Sequence, residues 1–304
     1  RKRSMKKALS LMSAMLVGGL LHSYVGVLGW TVPWFLFVML LITYCKVDMR
    51  QIRPNRMIWI LLAVQIVGAL ALWLVLREFS PILAIGLFIC VFCPTAAVAP
   101  IVTGLLGGNL SLLVSYSFAS NCLVAVLAPF VFTMLNAADP ASAGGTIDIL
   151  GSIGNIAVKV MPLLIVPLIL AFLMKRFTPR LHRVLRDNTV VTFWLWVAIM
   201  IVIMGQAVDY LVNSSTVSGS LLLYLAVGAA IVCAVQFYVG RVVGRKYGEA
   251  IAGAQGLGQK NTVLAIWMTL TFFNPCASVA PSTYIVWQNL INSWQLSRHK
   301  NNKA

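Results

Sequence analysis

Gly253-Ala254-Gln255-Gly256-Leu257-Gly258-Gln259-Lys260-Asn261-Thr262 lies in the middle of an apolar run that extends from about 249 to 273. A run of that size matches the roughly 20 residues a helix needs to cross a bilayer. Three glycines and a block of polar groups at its centre do not suit a uniform lipid-facing helix. Irregular backbone at membrane depth survives only where protein or a wet cavity satisfies it. A second run, 81–106, carries Cys93-Pro94-Thr95-Ala96-Ala97-Val98-Ala99-Pro100 at its centre. Each proline removes a backbone donor and clashes with the preceding turn, so two of them six apart predict an interrupted helix. Two broken spans frame the reading of the whole chain.

Working outward, spans are predicted at about 8–27, 32–46, 57–76, 81–106, 109–135, 151–174, 191–211, 218–243, 249–273 and 277–296. The 304 residues are 60% hydrophobic and 10% charged, with mean hydropathy +0.91. A soluble domain of this length needs more charge to cover its surface. Residues 8–28 read as a span and not as a cleaved leader, because no small-x-small site precedes a soluble domain. The linker near 136–150 divides the chain into 1–137 and 150–304, each with five spans. Five is odd, so the second half enters from the opposite side, as in the inverted repeats of secondary transporters. The interrupted spans, fourth and ninth, hold corresponding places in the two halves. Such a pair points to a transport site.

The formal charge of +16 is a topology signal. Twenty of the 23 basic residues fall on alternate loops: 1–7, 46–56, 175–186, 241–246 and 298–303. The intervening loops are mostly acidic, with Glu78, Asp139, Asp148 and Asp209. Under the positive-inside rule both termini are cytoplasmic, and no nucleic-acid partner is implied. Six cysteines and three histidines lack metal-ligand spacing, so no metal is expected. No H-E-x-x-H, G-x-S-x-G or P-loop is present, and no cofactor or enzymatic activity is expected. Gly240, Gly244 and Gly248 form a small-residue run suited to helix packing.

Ionisable groups inside a membrane are functional candidates by default. Lys159 is near enough to a span end to snorkel. Lys260 is not, and stands beside Gln259, Asn261 and Thr262. Gln65, Ser117, Ser120, Asn121, Gln288, Asn289 and Asn292 are further polar groups within spans. Their concentration in spans three, four, five, nine and ten predicts one polar centre.

These stretches resemble the bile acid:sodium symporter family, including its bacterial members, over nearly the whole chain. Val32-Pro33-Trp34 through Lys46-Val47-Asp48 is similar to the family's second span and basic loop. Cys93-Pro94 with Thr103 and Gly108-Asn109 resembles the C-P-G-G-T-A-S-N region. Gly258-Gln259-Lys260-Asn261-Thr262 resembles G-M-Q-N-S, and Val286-Trp287-Gln288-Asn289 resembles V-W-H-N. The resemblance implies an all-α membrane protein of about ten transmembrane helices. A core domain of spans 3–5 and 8–10 would contain the broken helices 4 and 9, crossing each other. Spans 1, 2, 6 and 7 would form a panel, with substrate between panel and core. It also implies an integral protein of a bacterial inner membrane.

The departures matter as much. The family's sodium-binding glutamate falls at Gly256 and its glutamine at Lys260. Other ligand positions fall at Ala99, Pro100 and Leu113, while Ser117 keeps a hydroxyl and Gln65 and Asn261 are retained. The expected function is therefore transport of a bile-acid-like anion or small carboxylate, independent of sodium, with Lys260 replacing the ion. The expected substrate contacts are Lys260, Asn261, Gln259, Thr262, Gln288, Asn289, Ala97 and Pro100. Alternatives are a sodium- or proton-coupled symporter and a non-transporting membrane ligand-binding protein.

Overall fold

A computed structural model of the chain describes residues 13–14, 16–47, 55–96, 99–138, 148–213 and 218–301. The basic clusters at 1–7 and 50–53, Lys303, Asp139 and Ala97 lie outside the described residues, as do residues 8–12 and 15 of the first predicted span. Among the described residues the structure is helical throughout, with one isolated β-bridge and no strand. The helices are α1 (Val32–Cys45), α2 (Arg56–Leu76), α3 (Pro81–Phe92), α4 (Ala99–Leu105), α5 (Leu110–Ala137) and α6 (Ile149–Phe177). They continue with α7 (Pro179–Asp187), α8 (Thr189–Asn213), α9 (Gly219–Arg245), α10 (Ala250–Gly258), α11 (Thr262–Phe272) and α12 (Val279–Asn301).

Six helical stretches among the described residues are long and apolar enough to cross a membrane: His22–Cys45, Arg56–Leu76, Leu110–Ala137, Ile149–Phe177, Val190–Asn213 and Gly219–Arg245. The first contains a short turn of helix (His22–Val25), a 3₁₀ stretch (Gly26–Thr31) and then α1, so helical backbone runs on through the gap predicted between 27 and 32. The predicted spans 81–106 and 249–273 do not qualify as single helices. Each is two short ones: α3 with α4, and α10 with α11. The predicted 277–296 is a 3₁₀ turn (Pro275–Ser278) leading into the continuous α12, which is more polar than the six.

Short polar side chains fix where helices begin by accepting an otherwise orphaned backbone N–H. Asn55 accepts from Met57 N at 2.9 Å, Ser80 from Leu83 N at 3.3 Å and Asp148 from Gly151 N at 2.9 Å. Pro81 follows Ser80 at the first helical position, where its missing N–H removes no bond. Proline alone does not break these helices. Pro162 and Pro167 lie inside the unbroken α6, and Pro129 inside α5.

The chain forms two compact units, residues 1–48 with 122–215 and residues 49–121 with 216–304. The first holds α1, α6, α7 and α8, with α1 packed on the other three. The second holds α2–α4 and α9–α12, with α9 packed on α3, α10 and α12. The boundary falls inside α5, between Asn121 and Cys122. In the second unit α9 and α10 approach backbone to backbone. A Cβ on Gly240 would collide with the Gly253 carbonyl, and one on Gly244 with Glu249 O. Gly248 has φ +73 and serves the turn between these helices, so the small-residue run is two packing sites and a turn.

Candidate functional site

The polar centre is built where the two interrupted helices, α3–α4 and α10–α11, meet inside the second unit. Helix α3 stops at Phe92 because Cys93 turns to an extended ψ of 145° and Pro94 follows. Helix α10 stops at Gly258, with Gln259 extended (φ −98°, ψ 104°). The two extended segments then pair through Thr95 and Lys260. Ala96 N–H donates to Gln259 O at 3.0 Å, and Asn261 N–H to Pro94 O at 2.8 Å. Each break thus satisfies backbone groups that the other leaves open.

A helix end leaves unpaired carbonyls and a partial negative charge. At the end of α3 every carbonyl from Cys90 to Pro94 has a donor. Cys90 O accepts from Gln236 Nε2 at 3.2 Å, and Val91 O from Lys260 Nζ at 2.8 Å. Phe92 O and Cys93 O accept from Gln65 Nε2 at 2.7 and 3.2 Å. The Lys260 ammonium is therefore aimed at the negative end of a half-helix, and the residue is only 1% exposed. Among the described residues no carboxylate pairs with it.

Gln65 is the hub of this end. Its Oε1 accepts from Tyr116 OH at 2.7 Å and Ser120 Oγ at 3.0 Å while its amide holds the two carbonyls. Gln288 Oε1 accepts from Lys260 N at 3.0 Å, and Thr95 Oγ1 donates to Gly256 O at 2.8 Å. Asn261 caps α11 by accepting from Leu264 N at 3.3 Å, and Thr262 N donates to Lys260 O at 2.9 Å. Gln259 is buried with Oε1 unpartnered. Gln288, Asn292, Gln295 and His299, spaced 4-3-4, share one face of α12. Gln255 Nε2 donates to Asn292 Oδ1 at 3.1 Å and Gln295 Oε1 at 3.0 Å, which ties α10 to that stripe.

The remaining predicted positions divide. A Cβ on Gly256 would lie 3.0–3.1 Å from the Tyr116 ring and 3.5 Å from Leu113 Cδ1. The space for an acidic side chain is thus occupied by a phenol ring. Ala99 and Leu113 are buried and apolar, and Pro100 is half-buried. Ser117 is half-buried, and its carbonyl accepts from Asn121 Nδ2 at 2.7 Å. Asn289 is exposed and donates to Ile285 O in its own helix, away from Lys260's partners. Ala97 is outside the described residues. Lys159 is exposed on α6.

Sequence reasoning missed Tyr116, Gln236, Gln255, Tyr284 and Gln295. Tyr284 OH donates to Gly258 O at 2.7 Å and accepts from Gln236 Nε2 at 3.0 Å. The 4-3-4 spacing on α12 was the signal available for Gln295. The two tyrosines carry none, since a buried ring reads as core.

In comparison with known proteins, the model of the Sodium Bile acid symporter family matches residues 33–214, more than half of the chain. No curated protein matches it.

Proposed function

Because the chain belongs to the sodium bile acid symporter family, we propose that it carries an organic anion across the membrane without sodium, Lys260 standing permanently in place of the ion. It is a helical membrane protein of a transporter family. The finer reading is a ten-span protein of two inverted five-helix repeats, 1–137 and 150–304, with both termini in the cytoplasm of a bacterial inner membrane. The substrate is a bile-acid-like anion or a small carboxylate that approaches the crossing of the broken spans.

One observation carries this reading: the Lys260 ammonium, 2.8 Å from Val91 O, occupies the carbonyl-rich end of α3. The aligned ion positions Gly256, Ala99, Pro100 and Leu113 offer no side-chain oxygen. Two like unit charges about 4 Å apart repel by roughly 4 kcal/mol at an effective dielectric constant near 20. That weakens a sodium ion beside the ammonium by roughly a thousandfold. The fixed charge, with the N-terminal end of α11 at the same crossing, favours an anionic substrate. Lys260 acts through this field, since its Nζ is bonded to Val91 O and buried.

The test is flux of a conjugated bile acid and of a small carboxylate in proteoliposomes, compared in sodium, in choline and across an imposed pH gradient. Equal flux in sodium and choline is expected. Loss of flux in choline overturns the proposal, and flux that follows the pH gradient selects a proton-coupled carrier. Anion binding without flux assigns a non-transporting receptor.

A further inference from the structure

Helix α7 has no part in the polar centre, and its surface is unusual for a nine-residue connection. Pro179-Arg180-Leu181-His182-Arg183-Val184-Leu185-Arg186-Asp187 follows directly on the basic last turn of α6, Lys175-Arg176-Phe177, with Thr178 between. At roughly 100° per residue, Val184, Leu181, Leu185 and His182 share one arc, and Arg180, Asp187, Arg183 and Arg186 share the other. The apolar arc has two unlike edges. His182, at one edge, is buried, and α7 packs on α1 and α6 of its own unit. Leu181 and Val184, at the other, are 51% and 62% exposed, and Phe177 just before the helix is 71% exposed.

The cations divide in the same way. Arg186 is next to the buried edge and is bonded to Asp187, Nε to Oδ1 at 2.9 Å. Arg180 is next to the open apolar edge, Arg183 lies beyond Asp187 near the middle of the polar arc, and both are exposed. Lys175 and Arg176 are exposed in the last turn of α6. Five basic side chains thus face one carboxylate, Asp187, within thirteen positions. The imidazole of His182 registers this field: burial first, then Lys175 and Arg186, hold its pKa below the ordinary value, with Asp187 opposing.

We propose that α7 is a docking site for anionic phospholipid at the membrane–water boundary. Phe177, Leu181 and Val184 enter the upper acyl layer, and Arg180 and Arg183 hold headgroup phosphates from just above it. Long basic side chains suit this because their stems lie on apolar surface while the guanidinium reaches the polar layer. The planar guanidinium also matches phosphate in a paired, two-bond geometry. Charge selects the lipid. A zwitterionic headgroup brings its own cation, whereas phosphatidylglycerol brings a net negative charge to a segment with excess positive charge.

The test uses the full chain in nanodiscs of phosphatidylcholine alone or of phosphatidylcholine with phosphatidylglycerol at 7:3. Lipid retention is read by native mass spectrometry, and folding by circular dichroism and gel filtration. Phosphatidylglycerol should be retained preferentially. R180Q/R183Q should weaken its retention about thirtyfold, at about one kcal/mol for each basic residue near the surface, and leave phosphatidylcholine unaffected. R180K/R183K should keep most of the preference. If R180Q/R183Q does not fold, the wild-type preference must still fall as salt rises from 0.1 to 0.5 M. Equal retention of the two lipids, a preference unchanged in the folded R180Q/R183Q protein, or one indifferent to salt overturns the proposal. So does equal retention of glycerol phosphate, which has no acyl chains and would assign the basic face to a soluble anion.

Discussion

The two units of this protein are built from the same kind of apolar helix, yet they treat polarity in opposite ways. Among the described residues twenty polar or charged side chains are buried, and eighteen belong to the second unit. The first unit buries two, Thr133 and His182. Its long helices are continuous, and Thr133 Oγ1 bonds to Pro129 O one turn back in the same helix. In the second unit some buried groups also bond within their own helix, as Ser115 and Thr269 do, but others bond across helices: Gln65 to α3 and α5, Gln236 to α3 and α12, Lys260 to α3. Interrupting two helices opens carbonyls and amides, which are satisfied partly by the backbone of the other break and partly by side chains from other helices. The polar groups that bond across helices gather at the two breaks, and the candidate site is built from them.

The contrast breaks most visibly at Gln65. Gln65→Leu removes the donor to Phe92 O and Cys93 O and the acceptor for Tyr116 and Ser120 together, taking one bond from each of four buried polar groups. At about 1–3 kcal/mol for each orphaned group, the second unit should lose several kcal/mol. Thermal unfolding in detergent should show loss of the folded species or a drop in Tm of well over ten degrees. A change of only a degree or two would mean that the break is held by something other than this hub.

Lys260→Met sharpens the same comparison by separating charge from architecture. Methionine keeps the volume, and removing a buried charge that lacks a countercharge offsets the lost bond to Val91 O, so stability should change by no more than about 1–2 kcal/mol. Anion flux in proteoliposomes should nevertheless fall at least tenfold. A collapse as large as that of Gln65→Leu would make the lysine a structural strut. Unaltered flux in a stable protein would remove it from transport.

The smallest effect belongs to the first unit. Burial and nearby cations lower the pKa of His182 in the folded protein. The unfolded chain therefore binds the proton more readily, and stability is full above the ordinary imidazole range and declines as pH falls through it. Melting curves from pH 8 to pH 5.5 should show a modest downward slope that His182→Gln flattens. An upward slope removed by the same substitution would reverse the assigned sign.

How much of this could be read from the sequence follows from what helical periodicity encodes. The positions of both breaks were legible, because glycine, proline and polar residues mid-span cannot continue a lipid-facing helix. Lys260 as a buried cation was legible for the same reason. Its direction was not. A lysine beside an interrupted helix can reach a pocket or a helix end, and only the pairing of Thr95 with Lys260 turns Nζ toward Val91 O. Asn289 shows a limit that periodicity does reveal: it is about 100° from Gln288 on the same helix, so both cannot face the crossing. The Tyr116 ring against Gly256 was illegible, since a glycine in the sequence does not say what occupies the space it leaves.

The donors that close the end of α3 become available at different times during synthesis. Gln65, which holds the carbonyls of Phe92 and Cys93, is translated 27–28 positions before them. Lys260, which holds Val91 O, comes 169 positions after it, and Gln236 comes 146 positions after Cys90. At 5–20 residues per second, the nascent protein carries the half-capped break for on the order of ten to thirty seconds. During that interval the carbonyls of Cys90 and Val91 wait for Gln236 and Lys260, while Gln65 already holds those of Phe92 and Cys93. Ribosome pausing, insertase residence and quality-control proteolysis therefore all act on the same window, and it closes only when the segment carrying Lys260 is in place.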